Sequence, residues 1–262
     1  MPGNILIIVE GQKTEPTFFK RLASVFGLKF EIYCLETNIY SLYSKMKKDD
    51  FNVDVKDALL EMHPERRDIL SKKFAFTYLI FDCDAHHSRK DEKRTIDDIF
   101  RDNLRKLDEM ARHFTDETDP SIGKLYINYP MMESFRHCDS FFDPKYEKAE
   151  VGIETLSSYK REMNKKKLCR EHVNKFERHH FASLIVQNLF KLNKIFEGKW
   201  DMPSYSNYLT YSKTEELLAK ESSLIEWERK ISVINSSLFL VTDYYGNEKG
   251  FYDNLSNEKE CQ

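Results

Sequence analysis

The 262-residue sequence predicts an α/β fold: a mostly parallel sheet over residues 1–145, followed by a mainly helical region over 146–262. Three observations carry this reading. Short aliphatic runs at 4–9 and 74–82 each stop at an acidic residue. Stretches with apolar residues every three or four positions alternate with those runs, the pattern of βαβ units with right-handed crossovers. Beyond about residue 145 the strand signals thin out and helical periodicity dominates.

Residues 4–9 (Asn4 to Val9) read as a strand buried on both faces, because the run is aliphatic without alternation and a glycine follows one residue later. Thr14 is expected to cap a helix to about Val25, with Glu15 and Pro16 in its first turn and Gly27 as its stop. Residues 29–35 form a second expected strand, and Ile39 to Leu70 one or two helices. The run FAFTYLIFD at 74–82 is the clearest later strand. Ile96, Ile99, Phe100, Leu104, Leu107, Met110 and Phe114 mark one face of a helix over 91–114. KLYINYP at 124–130 is a strand stopped by Pro130, and MMESF at 131–135 opens a helix. In the second region, 179–196 and 213–229 read as helices, and 237–246 as a strand or a buried segment.

Composition narrows the class. Hydrophobic residues make up 40% of the chain and aromatics 13%, enough for a sizeable core. The 32% of charged residues and the net charge of −3 describe a water-facing surface, and no stretch has 18 consecutive apolar residues, so no membrane partner is expected. The sequence opens directly on an apolar strand without a basic leader, and its five cysteines (Cys34, Cys83, Cys138, Cys169, Cys261) include no CxxC pair. A cytoplasmic location with reduced thiols is therefore expected. Locally, Lys160 to His180 is basic, as either a phosphate-contacting surface or a solvated helix face.

The chemistry lies where strands end. In parallel sheets, functional groups gather at the carboxyl edge. Glu10 ends the first strand, and Asp82 and Asp84 end the one at 74–82. Strand alternation is expected to point Asp82 and Asp84 the same way, with Cys83 opposite. Converging carboxylates repel unless a cation lies between them, and hard oxygen donors suit Mg²⁺ or Mn²⁺. A spare carboxylate serves as general base. Glu15 reads either as a further acid or as a helix first-turn residue favoured by the helix dipole, and Glu133 has the same two readings.

These residues also carry a family resemblance. VEGQKTEPTFF resembles the first motif of TOPRIM domains in the RloB-like and AbiLii-like group, FDCDAHH resembles their DxD motif, and NYPMMESF their later motif with a glutamate. The likeness covers roughly residues 4–140. It implies a Rossmann-like sheet with Mg²⁺ or Mn²⁺ held by Glu10, Asp82 and Asp84, Glu10 being the general acid/base or a ligand. It makes Glu133 an accessory acid and Glu15 the second acid of OLD-type nucleases, although Glu15 sits one residue later than their Glu-Gly-x-x-Glu spacing. Relatives of this kind belong to anti-phage defence, often beside an ATPase. No GxxxxGK[ST] occurs here, so an ATPase would be supplied by another subunit.

The implied activity is metal-dependent cleavage of phosphodiester bonds in DNA or structured RNA. Lys13, His86, Lys191 and Lys194 are candidate substrate contacts, with Asn188 on the same helix and Arg89 and Lys90 beyond the DxD, and His87 is either a further phosphate donor or an exposed loop histidine. Tyr126 and Tyr129 are either base-stacking or core residues. Two other readings stand beside this one: a non-catalytic TOPRIM module that binds nucleic acid or a phage protein and signals to a partner ATPase, and a phosphatase-like or receiver-like domain. The latter normally has an aspartate at the end of its first strand, where this chain has Glu10. Oligomeric state is left open.

Overall fold

All five side chains of strand β1 (Ile5–Val9) are fully buried. Only a strand covered on both faces and flanked on both edges achieves that. The computed structural model describes residues 4–87, 94–119, 121–166, 172–247 and 250–258. β1 pairs in parallel with β2 (Phe30–Cys34) on one side and β3 (Phe76–Asp82) on the other. The sheet order is β2-β1-β3-β5-β4, where β4 (Thr115–Asp116) is a short strand antiparallel to β5 (Gly123–Asn128). The fold is thus α/β with a mostly parallel central sheet. Burying the β1 side chains contributes roughly 10 kcal/mol before the entropy of ordering is set against it.

Helix α1 (Thr14–Phe26) packs Phe18, Phe19, Leu22 and Phe26 inward and stops at Gly27, whose φ of 70° is the left-handed cap expected there. Thr14 is not its cap: Lys13 holds that position without a side-chain bond, and Thr14 is the first helical residue. Three helices occupy the stretch expected to hold one or two: α2 (Ile39–Lys48), α3 (Val55–Met62) and the single turn α4 (Arg67–Leu70). Asn38 caps α2 and Asp54 caps α3 through their side chains. α5 (Ile96–His113) begins at a Thr95 cap and buries Ile99, Phe100, Leu107 and Met110.

Chain contacts divide the protein into two units, Met1–Tyr126 and Ile127–Gln262, so the second starts ahead of the boundary at 145 read from the sequence. Residues Met132–Arg136 form a 3-10 turn where a helix was expected to open. The second unit then carries a two-stranded antiparallel ribbon, β6 (Glu150–Gly152) with β7 (Lys230–Ser232). Its helices are α6 (Leu156–Met163), α7 (Arg178–Glu197), α8 (Tyr205–Tyr211), α9 (Thr214–Glu228), α10 (Phe239–Tyr245) and α11 (Phe251–Glu258). α10 occupies the segment 237–246. It is helical rather than strand-like, and Phe239 to Thr242 are buried all round, a case in which periodicity cannot tell a short buried helix from a strand. Among the described residues no helix is long and apolar enough to cross a membrane.

Candidate functional site

The path of the chain through the sheet creates the site. From β1 it crosses to β2 on one side, then returns to β3 on the other side of β1. The connections diverge at the carboxyl ends of β1 and β3, and such a switch point leaves a crevice. The loops after β1, β2 and β3 line a cleft of about 560 Å³ there, with Glu10, Gly11, Glu36, Asn38, Asp84 and His87 on its walls.

Glu10 extends the β1–β2 ladder by one residue, its carbonyl accepting the Glu36 N–H at 3.1 Å. Gly11 follows because the Glu15 carboxylate lies on it: the Gly11 N–H donates to Glu15 Oε1 at 3.1 Å, and a Cβ at Gly11 would stand 2.6 Å from Glu15 Oε2. Glu15 thereby pins the turn that follows Glu10 and is not on the cleft wall.

The β1–β3 register explains which aspartate joins Glu10. Val9 is level with Ile80, so Glu10 falls level with Phe81 and Asp82 belongs to the opposite face. The expected alternation then breaks. β3 ends at Asp82, and Asp84 adopts φ 34°, in the left-handed region that Asp tolerates better than most residues. This turn brings Asp84 to the cleft, whereas Asp82 does not line it. Asp82 and Asp84 therefore do not point the same way by simple pleat. Glu36, also at positive φ (62°), holds Arg66 Nη2 at 3.0 Å.

The left-handed turn is tied from outside. Tyr40 on α2 donates its hydroxyl to the Cys83 carbonyl at 3.0 Å, and Asn103 on α5 donates Nδ2 to the carbonyls of Ala85 (3.0 Å) and His87 (2.7 Å). Burial first, and then the negative charges of Cys83, Asp84 and Glu10, hold the Tyr40 hydroxyl well above the usual phenol range.

Among the described residues, the cleft wall carries three carboxylates and no lysine or arginine. A phosphate entering it meets repulsion unless a cation accompanies it. The all-oxygen donors of Glu10 and Asp84 fit a hard divalent ion that keeps several waters. Among the described residues, no three His, Cys, Asp or Glu side chains form a ready-made cage.

The other residues singled out in the sequence stand elsewhere. His86 does not line the cleft, and its Nδ1 is buried, whereas His87, read from the sequence as either a phosphate donor or an exposed loop histidine, is exposed on it. Lys13 is exposed at the start of α1 and is not on the wall. Arg89 and Lys90 lie outside the described residues.

In the second unit, Lys191 is 2% exposed and donates to the carbonyls of Glu147 and Ala149, both at 2.9 Å. Lys194 pairs with Glu147 at 2.7 Å, and Asn188 Oδ1 accepts from Tyr146 and from the Asn235 N–H. Lys191 and Asn188 hold the unit together from inside, and Lys194 from its partly exposed edge. Glu133 is buried, its Oε1 2.8 Å from Lys160 Nζ. Tyr126 and Tyr129 are core residues of their respective units, closed to a stacking base. In the basic stretch, Lys165 pairs with Glu162 and Arg178 with Glu258, while 167–171 lie outside the described residues. No protein-family model, curated protein or solved structure matches this chain.

Proposed function

We propose that the chain is a metal-dependent nuclease that cleaves phosphodiester bonds in DNA or structured RNA, with the switch-point cleft as its active site. One observation carries this reading: Glu10 and Asp84, from two different strand ends, line one open cleft whose described wall carries three carboxylates. The motif order that resembles TOPRIM domains agrees with it.

Glu10 and Asp84 would hold Mg²⁺ or Mn²⁺, which when bound would supply Lewis-acid stabilisation of charge developing on the phosphate. Whichever carboxylate oxygen stays off the ion accepts the proton of the attacking water. Glu15 fixes the Gly11 turn and so the direction of Glu10. Tyr40 and Asn103 do the same for Asp84. Asp82 supports from the strand end. Glu133, in the second unit, keeps only the accessory part that the resemblance gives it. A role in anti-phage defence, with an ATPase supplied in trans, belongs to the same proposal and rests on the resemblance alone.

The test is a panel of DNA and RNA substrates, tRNA included, incubated with the full chain and Mg²⁺ or Mn²⁺, with and without a candidate ATPase. Cleavage that disappears in Glu10→Gln and Asp84→Asn, while circular dichroism and melting stay native, is the expected result. Cleavage that survives both substitutions removes the cleft as the active site. Binding without cleavage under every condition turns the reading to the non-catalytic module.

A further inference from the structure

His87 borders the cleft beside Asp84, and four contacts hold it there. Its ring stacks on Tyr40, centroids 5.8 Å apart and 11° from parallel. Its backbone N–H donates to the Asp84 carbonyl at 2.7 Å, and its own carbonyl accepts from Asn103 at 2.7 Å. The fourth contact carries chemical information: Asn38 Nδ2 lies 3.0 Å from His87 Nε2.

Asn38 is also the cap of α2. Its Oδ1 accepts the Ser41 backbone N–H at 3.2 Å. The cap decides which end of the amide faces the imidazole, because with the oxygen turned to the helix the NH₂ is turned to His87. An amide NH₂ only donates, so Nε2 must accept. An imidazole that accepts at Nε2 is neutral and carries its proton on Nδ1. His87 Nδ1 makes no hydrogen bond among the described residues, and the side chain is exposed.

We propose that His87, held by Asn38 as the neutral Nδ1–H tautomer, binds substrate by donating a hydrogen bond to a phosphate oxygen in the cleft. Asn38 is the positioning residue that fixes the proton. The choice of phosphate rests on the nuclease reading above; the tautomer does not. A neutral donor suits this wall. It adds a directed bond to an anionic oxygen and leaves the negative charge of Glu10 and Asp84 for a cation, with which an imidazolium would compete.

The full chain labelled with ¹⁵N-histidine, at about pH 8 where an ordinary histidine is neutral, tests the tautomer directly. Two-bond ¹H–¹⁵N correlations distinguish Nδ1–H from Nε2–H, and the His87→Phe spectrum assigns the signal. The expected result is Nδ1–H in the unaltered chain and Nε2–H in Asn38→Asp, since aspartate caps a helix as well as asparagine but offers His87 an acceptor. Inorganic pyrophosphate with Mg²⁺, titrated by calorimetry, should bind about 5- to 10-fold more weakly to His87→Phe and Asn38→Asp. KM for a cleaved oligonucleotide should rise by the same factor, with kcat within about twofold.

Nε2–H in the unaltered chain overturns the proposal. So does pyrophosphate affinity that is absent in the unaltered chain or unchanged in His87→Phe, which keeps the stack on Tyr40 and decides alone if Asn38→Asp does not fold. Nδ1–H with the expected loss of affinity, but no cleavage of any substrate, upholds this inference and removes the nuclease reading. Cleavage with Nε2–H does the reverse.

Discussion

The two units use the same polar side chains in opposite ways. In the first, Glu10, Asp84 and His87 line an open cleft at the end of a sheet, and the chain accepts a left-handed aspartate to bring one of them there. In the second, polar groups turn inward. Lys191 spends its ammonium on two backbone carbonyls, Asn188 is held between Tyr146 and Asn235, and Glu221 on α9, 1% exposed, accepts the Ser232 N–H of β7 at 2.9 Å. A charged residue can thus read as a substrate contact in sequence and be a strut in the fold. What separates the two is whether the side chain lines an open cleft or is enclosed by the fold.

The sharpest way to break this contrast is Lys191→Met. Burial holds the Lys191 amine down at about 8, with the charge of Glu221 opposing that shift. Removing it leaves two carbonyls without their donor and Glu221 without that countercharge. We expect a loss of about 3–5 kcal/mol in urea unfolding, with the cleavage rate per folded molecule unchanged. A variant that keeps full stability but binds nucleic acid poorly would return Lys191 to the substrate side.

Acid provides the next test. Burial, reinforced by Lys166 and Lys191, holds His137 at about 4, and Tyr159 OH stands 3.1 Å from its Nδ1. The unfolded chain takes up this proton near pH 6.5 and the folded one only near 4. Stability from His137 is therefore full above 6.5 and falls away as pH drops through about 4, by at most about 3 kcal/mol. Glu221 works in the other direction. Burial raises it to about 7, so its contribution is full below the ordinary carboxylate range and is lost as pH rises through about 7. His137→Phe should flatten the acid limb of a stability–pH curve, and Glu221→Gln the neutral one. Curves unmoved by either would mean that neither group is buried as described.

In the first unit, the expected effects are on activity before stability. Glu10→Gln and Asp84→Asn should each lower cleavage at least about 100-fold, equivalent to about 2.7 kcal/mol, with melting little changed. Gly11→Ala is milder, because the Glu15 carboxylate can swing away. It forfeits one hydrogen bond, about 1 kcal/mol, and unpins Glu10, so activity should fall more than stability. Smallest of all is Thr14→Ala, expected within a few tenths of a kcal/mol, against about 1 kcal/mol for Thr95→Ala, where the hydroxyl does cap its helix. Equal losses at the two threonines would contradict the assignment of the α1 cap.

These contrasts also show what a sequence can disclose. β1, α1, α5 and α7 were legible because burial on one or both faces imposes a repeat. Glu10 was legible because a parallel strand of aliphatic residues must deliver its next residue to the carboxyl edge. Asp84 was named for a partly mistaken reason: the pleat does not carry it to the cleft, and one left-handed dihedral does. For His87 the sequence left two readings open, because what places it is Asn38, 49 residues earlier in the chain, through a helix cap on another element. Lys191 was misleading because its spacing with Asn188 and Lys194 suggested one face, while α7 is buried almost all round through its middle. Local pattern reports the periodicity of an element. It does not report which neighbours later surround it.

The central position of β1 has a consequence for how the molecule is made. β1 is synthesised before β2 and β3, and its second edge is covered only when Phe76 comes level with Ile5. During that interval the most apolar strand of the sheet has one open edge, and its pairing with β3 is among the long-range contacts that form slowly. The strand that aims Glu10 is also the nascent chain's main hazard for sticking to other chains. A charged residue placed within β1 would make the newborn chain safer only by ruining the finished sheet. The strand itself has no position to spare for such a safeguard, because all five of its side chains are fully buried in the finished sheet.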